Sequence, residues 1–191
     1  MRRSILFFPF CAALLTSGLL WTTLFAFKQE DLDKLANTKQ CAFCDLRKAE
    51  LPEANLSGAR LSGAILSGAN LSRANLSGAN LRNAMLSQTQ LSGTILSGAD
   101  LSRAKLQGIQ AASADFSGAK LIGADLVRAN LANANLSDAD LSRADLSGAD
   151  LRQANLKGTN LSEARWTDGV KCLEGSSGEC DKEVPKAPGQ F

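Results

Sequence analysis

The 191-residue sequence contains neither histidine nor tyrosine. Histidine is the commonest general base in enzymes and a frequent metal ligand, so its absence removes the usual starting point for acid–base catalysis and for zinc binding. An excess of one charge is also lacking, because 21 basic and 19 acidic residues leave a formal net charge of +2. This balance is typical neither of a nucleic-acid-binding protein nor of an acidic mimic of nucleic acid.

Long apolar runs are scarce as well, and the one that exists covers residues 5–27. Arg2 and Arg3 precede it, and the acidic residues Glu30 and Asp31 follow it, which favours an N-terminus in the cytoplasm and the rest of the chain across the membrane. Two alternatives fit: a signal peptide cleaved near the end of the run, or a membrane-spanning anchor. Both predict that the remainder lies outside the cytoplasm.

A five-residue unit then repeats from residue 46 to residue 166 without insertion or deletion. Its central residue is Leu in 22 of 25 units, and the residue two positions earlier is Ala in 20 of them. A period of five fits neither an amphipathic helix nor an alternating strand. A four-sided coil of about 20 residues does fit, with Leu and Ala inside and Ser, Gly, Asn and Asp at the corners, where they support turn conformations.

One unit departs from this pattern in two positions at once. Ala111 occupies a central Leu position, whereas Ile109 occupies the preceding Ala position. Close-packed interiors tolerate volume-conserving exchanges better than a net loss of volume. We therefore predict that Ile109 fills the space that Ala111 leaves.

The uninterrupted Ala-(Asn/Asp)-Leu-Ser-Gly pattern resembles the pentapeptide-repeat family. The resemblance implies an all-β fold, a right-handed quadrilateral β-helix of about six coils, here with a short capping helix predicted over residues 29–38. We expect four regions, which are the signal peptide or anchor at 1–27, an N-terminal cap at 28–43, the β-helix at 44–168, and a C-terminal cap and tail at 169–191.

Four cysteines flank the repeats in two pairs. Cys41 and Cys44 precede them and fall on inward positions, which predicts two buried thiols or a local disulfide. A Cys-x-x-Cys leading into the first unit is similar to a feature of exported pentapeptide-repeat proteins from cyanobacteria. Redox activity and metal binding are the alternatives, although a metal site would need further ligands. Cys172 and Cys180 border a Gly- and Ser-containing spacer that is suited to a disulfide loop.

Some outward positions carry apolar side chains and form a candidate partner surface. These residues are Ile65, Met85, Ile95, Ile122 and Val127. Scattered apolar residues on a surface also occur without any partner.

The sequence favours an exported, non-enzymatic scaffold or protein-interaction module, with no catalytic, cofactor-binding or metal-binding residues and an unidentified protein partner. For a cyanobacterial or plastid source the resemblance points to the periplasm or thylakoid lumen, and secretion is the remaining location. One alternative is a thiol–disulfide redox protein that uses Cys41 and Cys44. The other is a duplex mimic that protects topoisomerases, a function known among cytoplasmic members of the family, which the near-neutral charge and the predicted export disfavour.

Overall fold

The structure, a computed structural model, describes residues 28–182, so the predicted signal peptide or anchor at 1–27 lies outside the described residues. One α-helix, α1, spans Gln29–Thr38, the range that the sequence predicts. Between residues 28 and 182, no helix has the length and apolar character needed to cross a bilayer.

The repeats form a ladder of parallel bridges between residues that are 20 positions apart. The ladder runs from the pair Gln40 and Arg60 to the pair Asp145 and Arg165. Each five-residue side contributes a single bridged residue, because a turn interrupts the chain before a longer strand can form. We number the four sides of the coil by their bridged residues: side 1 begins at residue 45, side 2 at 50, side 3 at 55 and side 4 at 40, and each recurs every 20 residues.

Every corner of the coil is a tight turn. At the corner after Leu46, for example, the backbone N–H of Ala49 donates to the Leu46 carbonyl oxygen at 3.1 Å. The third residue of each such turn has a positive φ, whether it is Gly58 at 66° or Arg103 at 58°. Glycine adopts this conformation without steric cost, which explains its frequency at this position of the repeat.

The outward Asn or Asp of the repeat stabilises the turn that follows it. The backbone N–H of Ser77 donates to Asn75 Oδ1 at 3.0 Å, and that of Ser147 donates to Asp145 Oδ1 at 2.9 Å. The same bond recurs at many other corners. It satisfies a backbone donor that the turn would otherwise leave to solvent, which is why short polar side chains suit this position.

The inward positions form one continuous core. Nearly all central Leu and preceding Ala residues are buried, and so are Ile109, Ala111 and Phe116, each at 0% exposure. Three threonines replace the inward Ala, and each donates its hydroxyl to a backbone carbonyl oxygen of the previous coil, as Thr94 Oγ1 does to Leu71 at 2.7 Å. These buried hydroxyls are therefore satisfied.

Both ends of the ladder contact additional chain. Helix α1 lies against the first coil, where Leu35 is buried, and the backbone N–H of Lys28 donates to the Asp45 carbonyl oxygen on side 1 at 3.2 Å. At the other end, the chain returns antiparallel to the last coil, with two bridges, between Arg165 and Lys171 and between Asn160 and Ser177. Trp166, in a central Leu position, is half-buried beneath this return.

Candidate functional site

The Cys-x-x-Cys forms a disulfide at the end of the core that α1 covers. Cys41 and Cys44 have Cα atoms 5.2 Å apart, and both residues are buried at 0% and 3% exposure. Cys41 Sγ lies 3.1 Å from the Asp31 carbonyl oxygen of α1, a packing contact and not a hydrogen bond, because a disulfide sulfur carries no proton. The cysteines follow α1 in the sequence and lead into the first coil, whereas a reactive Cys-x-x-Cys typically opens a helix, whose N-terminus lowers the pKa of the thiol.

A second disulfide fixes the returning chain at the opposite end. Cys172 and Cys180 are bonded, with their Cα atoms 5.0 Å apart, and Cys172 is buried. An open depression of about 480 Å³ adjoins them, lined by Glu163, Val170, Lys171, Cys172, Leu173 and Glu174. Within residues 28–182, no group of three or more His, Cys, Asp or Glu residues is arranged to hold a metal ion.

The structure divides the candidate partner surface between two opposite sides of the coil. Ile65 and Met85 are bridge partners on side 1, where Met85 is 40% exposed and Ile65 is half-buried. Ile122 and Val127 lie further along, at the two corners that flank side 1. Ile95 lies on side 3, between Asn75 and Asp115, and is 42% exposed. Four of the five residues therefore belong to side 1 and its corners.

The most exposed large apolar side chain of the described residues is Phe43, which is not part of the partner surface predicted from the sequence. It is 79% exposed and lies at a corner of side 1 in the first coil. Its ring covers Gly63 one coil later so closely that a Cβ atom on Gly63 would lie 2.5 Å from Phe43 Cε1. The repeat frame could have identified Phe43 as an outward residue, because position 43 is five residues before the outward turn residue Lys48 and so occupies the same position in the repeat.

Basic side chains accompany these apolar residues on side 1. Arg47 binds the Asp45 carboxylate through two hydrogen bonds, 2.9 Å from Nε and 2.6 Å from Nη2, and these bonds lower the pKa of Asp45. Lys48 and Lys105, both exposed, form no salt bridge with any residue between 28 and 182. Side 1 therefore combines exposed apolar groups with positive charge near α1.

Comparisons with known proteins agree with this architecture. The family model for pentapeptide repeats matches in 8 copies over residues 40–78, 74–109, 112–148 and 144–165. A comparison with curated protein sequences returned no match.

Solved structures of pentapeptide-repeat proteins are also similar to this chain. HetL, a protein involved in heterocyst differentiation regulation in the cyanobacterium Nostoc sp. strain PCC 7120, is 37% identical over 69% of this chain and 65% of its own, with a TM-score of 0.42. This chain thus matches just under two thirds of HetL. Rfr23 from the cyanobacterium Cyanothece 51142 is 32% identical over 72% of this chain and 97% of its own, with a TM-score of 0.41.

QnrB1, a plasmid-mediated fluoroquinolone resistance protein, is 21% identical over 71% of this chain and 80% of its own, with a TM-score of 0.37. The family match spans most of the ladder of bridges and uses the same five-residue frame that the core follows. The chain belongs to the pentapeptide-repeat family, and its ladder is a pentapeptide-repeat β-helix.

Proposed function

We propose that this protein is an exported, non-enzymatic scaffold that acts by presenting the outer sides of a rigid β-helix to a protein partner. The observation that carries the proposal is the register of 20 residues, which stacks outward side chains of successive coils into continuous columns. Met85 and Ile95 are exposed members of columns on opposite sides. A solenoid of this kind offers an extended binding surface that needs no ordering when a partner docks.

Two observations support export. Cys172 and Cys180 form a disulfide, and so do Cys41 and Cys44, and such bonds persist in oxidising compartments outside the cytoplasm. The basic start and apolar run of residues 1–27 have the composition of a signal peptide or anchor. We place the protein in the periplasm, in the thylakoid lumen or in the medium.

The contacts at both ends support the finer architecture of a right-handed coil with about six turns and two caps. Helix α1 covers the first coil by burying Leu35, and the carboxylate of Asp31 accepts the backbone N–H of Asp45 at 2.8 Å. At the other end, Cys172 donates its N–H to the Ala164 carbonyl oxygen at 2.7 Å. Solenoids need such end structures, because an open coil exposes unpaired backbone groups and core side chains.

Affinity capture with three forms of the protein tests the binding function. Extracytoplasmic extract is passed over immobilised wild type, Met85→Ser and Ile95→Ser, a matched pair because the two residues are almost equally exposed, at 40% and 42%, on opposite sides. We expect a specific protein that one variant loses and the other retains. Equal recovery by all three forms, or no specific recovery by the wild type, would refute docking through these columns.

The intact mass of the native protein tests export. We expect a chain with both disulfides formed, found outside the cytoplasm, either without the N-terminal segment or anchored by it. A cytoplasmic chain with four alkylatable cysteines around the repeats would refute export and leave the binding function to be judged by the capture experiment.

A further inference from the structure

One half of side 1 differs from the rest of the surface in both charge and apolar character. We define the basic–apolar face as side 1 and its two flanking corners in the first four coils, residues 42–48, 62–68, 82–88 and 102–108. Its charged side chains are five basic residues and one acidic residue: Arg47, Lys48, Arg82, Arg103, Lys105 and Asp45. Its outward apolar side chains are Phe43, Ile65 and Met85.

This positive charge is local to the face. Residues 28–182 carry 18 basic and 18 acidic side chains, so the remainder of the described molecule has a corresponding negative balance. Further along side 1 and its corners the charges balance, with Asp125 and Arg128 in one coil and Asp145 and Arg143 in the next. The single carboxylate of the basic–apolar face, that of Asp45, is neutralised by its two hydrogen bonds with Arg47. Arg82, at the edge of the face, pairs with Asp100 of side 4 at 3.1 Å, so the net positive charge that the face presents comes from Lys48, Arg103 and Lys105.

The chain enters the described structure at this same face. The backbone N–H of Lys28 donates to the carbonyl oxygen of Asp45, the first bridged residue of side 1. Residues 5–27, which precede it directly, form the one long apolar run of the sequence. A membrane that holds this run therefore lies next to Lys28 and side 1. At the usual spacing of bridged chains, the fourth coil is only about 15 Å from the first, so all four coils stay close to Lys28.

We propose that the basic–apolar face rests on the anionic lipid surface of a bilayer, with Phe43 inserted at the level of the headgroups. This inference deepens the proposed function, on which it rests, by naming a second partner and by orienting the scaffold: side 3, which carries Ile95, then points away from the membrane, available to the protein partner. Exposed aromatic rings combined with Lys and Arg are the groups that bind anionic lipid interfaces. The long basic side chains can reach phosphates while their methylene groups lie along the acyl boundary.

Fluorescence of a tryptophan at position 43 tests this contact. The full chain with Phe43→Trp is reconstituted into vesicles of phosphatidylcholine alone or with phosphatidylglycerol, each with or without lipids brominated near the headgroup. The wild type supplies the background from Trp21 and Trp166. We expect bromine to quench at least half of the additional fluorescence in the anionic vesicles at low salt. Little quenching is expected in the neutral vesicles or at high salt.

A matched pair of charge variants tests the electrostatic part. Lys48→Gln with Lys105→Gln removes two charges from the basic–apolar face, and Lys120→Gln with Lys157→Gln removes two exposed charges elsewhere. Gln suits position 48, because Gln88 occupies the equivalent turn position natively with a positive φ. We expect the first pair to reduce the quenching several-fold and the second pair to leave it unchanged.

Several outcomes would overturn the inference. These are a tryptophan at position 43 that stays unquenched in both kinds of vesicle, quenching that does not depend on anionic lipid, and equal effects of the two variant pairs. An unquenched tryptophan whose emission instead shifts when polyglutamate is added would assign the face to an acidic protein. Each of these results leaves the scaffold function intact if Ile95→Ser still loses a partner in the capture experiment. If the wild type captures no specific protein while the tryptophan at position 43 is quenched as expected, the scaffold function is refuted and the lipid-binding face is retained.

Discussion

The paired exchange at Ile109 and Ala111 gives the sharpest test of how this core is packed. Both residues are fully buried in the same side of one coil, whereas the central position is Leu in 22 of the 25 units. Ile109→Ala removes three carbon atoms, worth about 2.4 kcal/mol at about 0.8 kcal/mol for each buried methylene group. The unfilled cavity raises the expected loss of unfolding free energy to about 3–4 kcal/mol.

The second variant and the double variant separate compensation from ordinary burial. Ala111→Leu alone adds volume where Ile109 already fills the space, so it should cost about 1–3 kcal/mol through overpacking. The double variant Ile109→Ala with Ala111→Leu restores the usual pattern of the repeat, and it should lie within about 1 kcal/mol of the wild type. The two substitutions should therefore couple by about 3 kcal/mol or more, since each relieves the defect that the other creates.

Urea unfolding of the oxidised protein, followed by far-ultraviolet circular dichroism, measures these differences. The matched control is Ile95→Ala, the same chemical change at a residue that is 42% exposed, for which we expect a loss of about 0.5 kcal/mol. Equal m-values among the variants are required, because a change in m would show that the unfolding reaction itself had changed. A cost of Ile109→Ala below about 0.5 kcal/mol, or additive effects in the double variant, would refute the volume exchange.

Three further predictions concern hydrogen bonding, cross-linking and acid dependence. Thr94→Val removes a buried hydroxyl that donates to a backbone carbonyl oxygen at 2.7 Å, and it should lower stability by about 1 kcal/mol in the urea assay; unchanged stability would show that this bond has no net effect. Replacing Cys172 and Cys180 by Ser should cost about 2–3 kcal/mol in the chain-entropy account of a short loop, and a variant as stable as the oxidised wild type would contradict it. Hydrogen bonds from the side chain and the backbone N–H of Arg152 lower the pKa of Asp150 to about 2. In Arg152→Ala only the backbone bond remains, so an NMR titration should find this pKa raised towards the ordinary value of 3.8 but still below it; an unchanged pKa would contradict the role of the guanidinium. Because the folded-state pKa is depressed, the stabilisation is present above pH 3.8, disappears as the pH falls towards about 2, and should be smaller in the variant.

The register and the core follow directly from the sequence. A large and a small apolar residue that recur every five positions can all reach one interior only if the chain turns after each unit, and close packing then requires the Leu and Ala volumes to alternate. The same frame placed Ile65 and Met85 above one another. The range of α1 was predicted separately, from the residues that precede the repeats. Local composition was sufficient for these features because every unit repeats the same environment.

The tertiary structure decided what the repeat frame cannot encode. Whether Cys41 and Cys44 remain thiols or form a disulfide depends on how closely the first turn brings them together. The exposure of Phe43 depends on Gly63 one coil later, which lacks a side chain and leaves room for the ring. Most importantly, the packing of α1 brings Lys28 to side 1 of the β-helix, through the bond from its backbone N–H to the Asp45 carbonyl oxygen. These features arise at the ends of the ladder, because there the chain leaves the repeat and non-local contacts replace the periodic pattern.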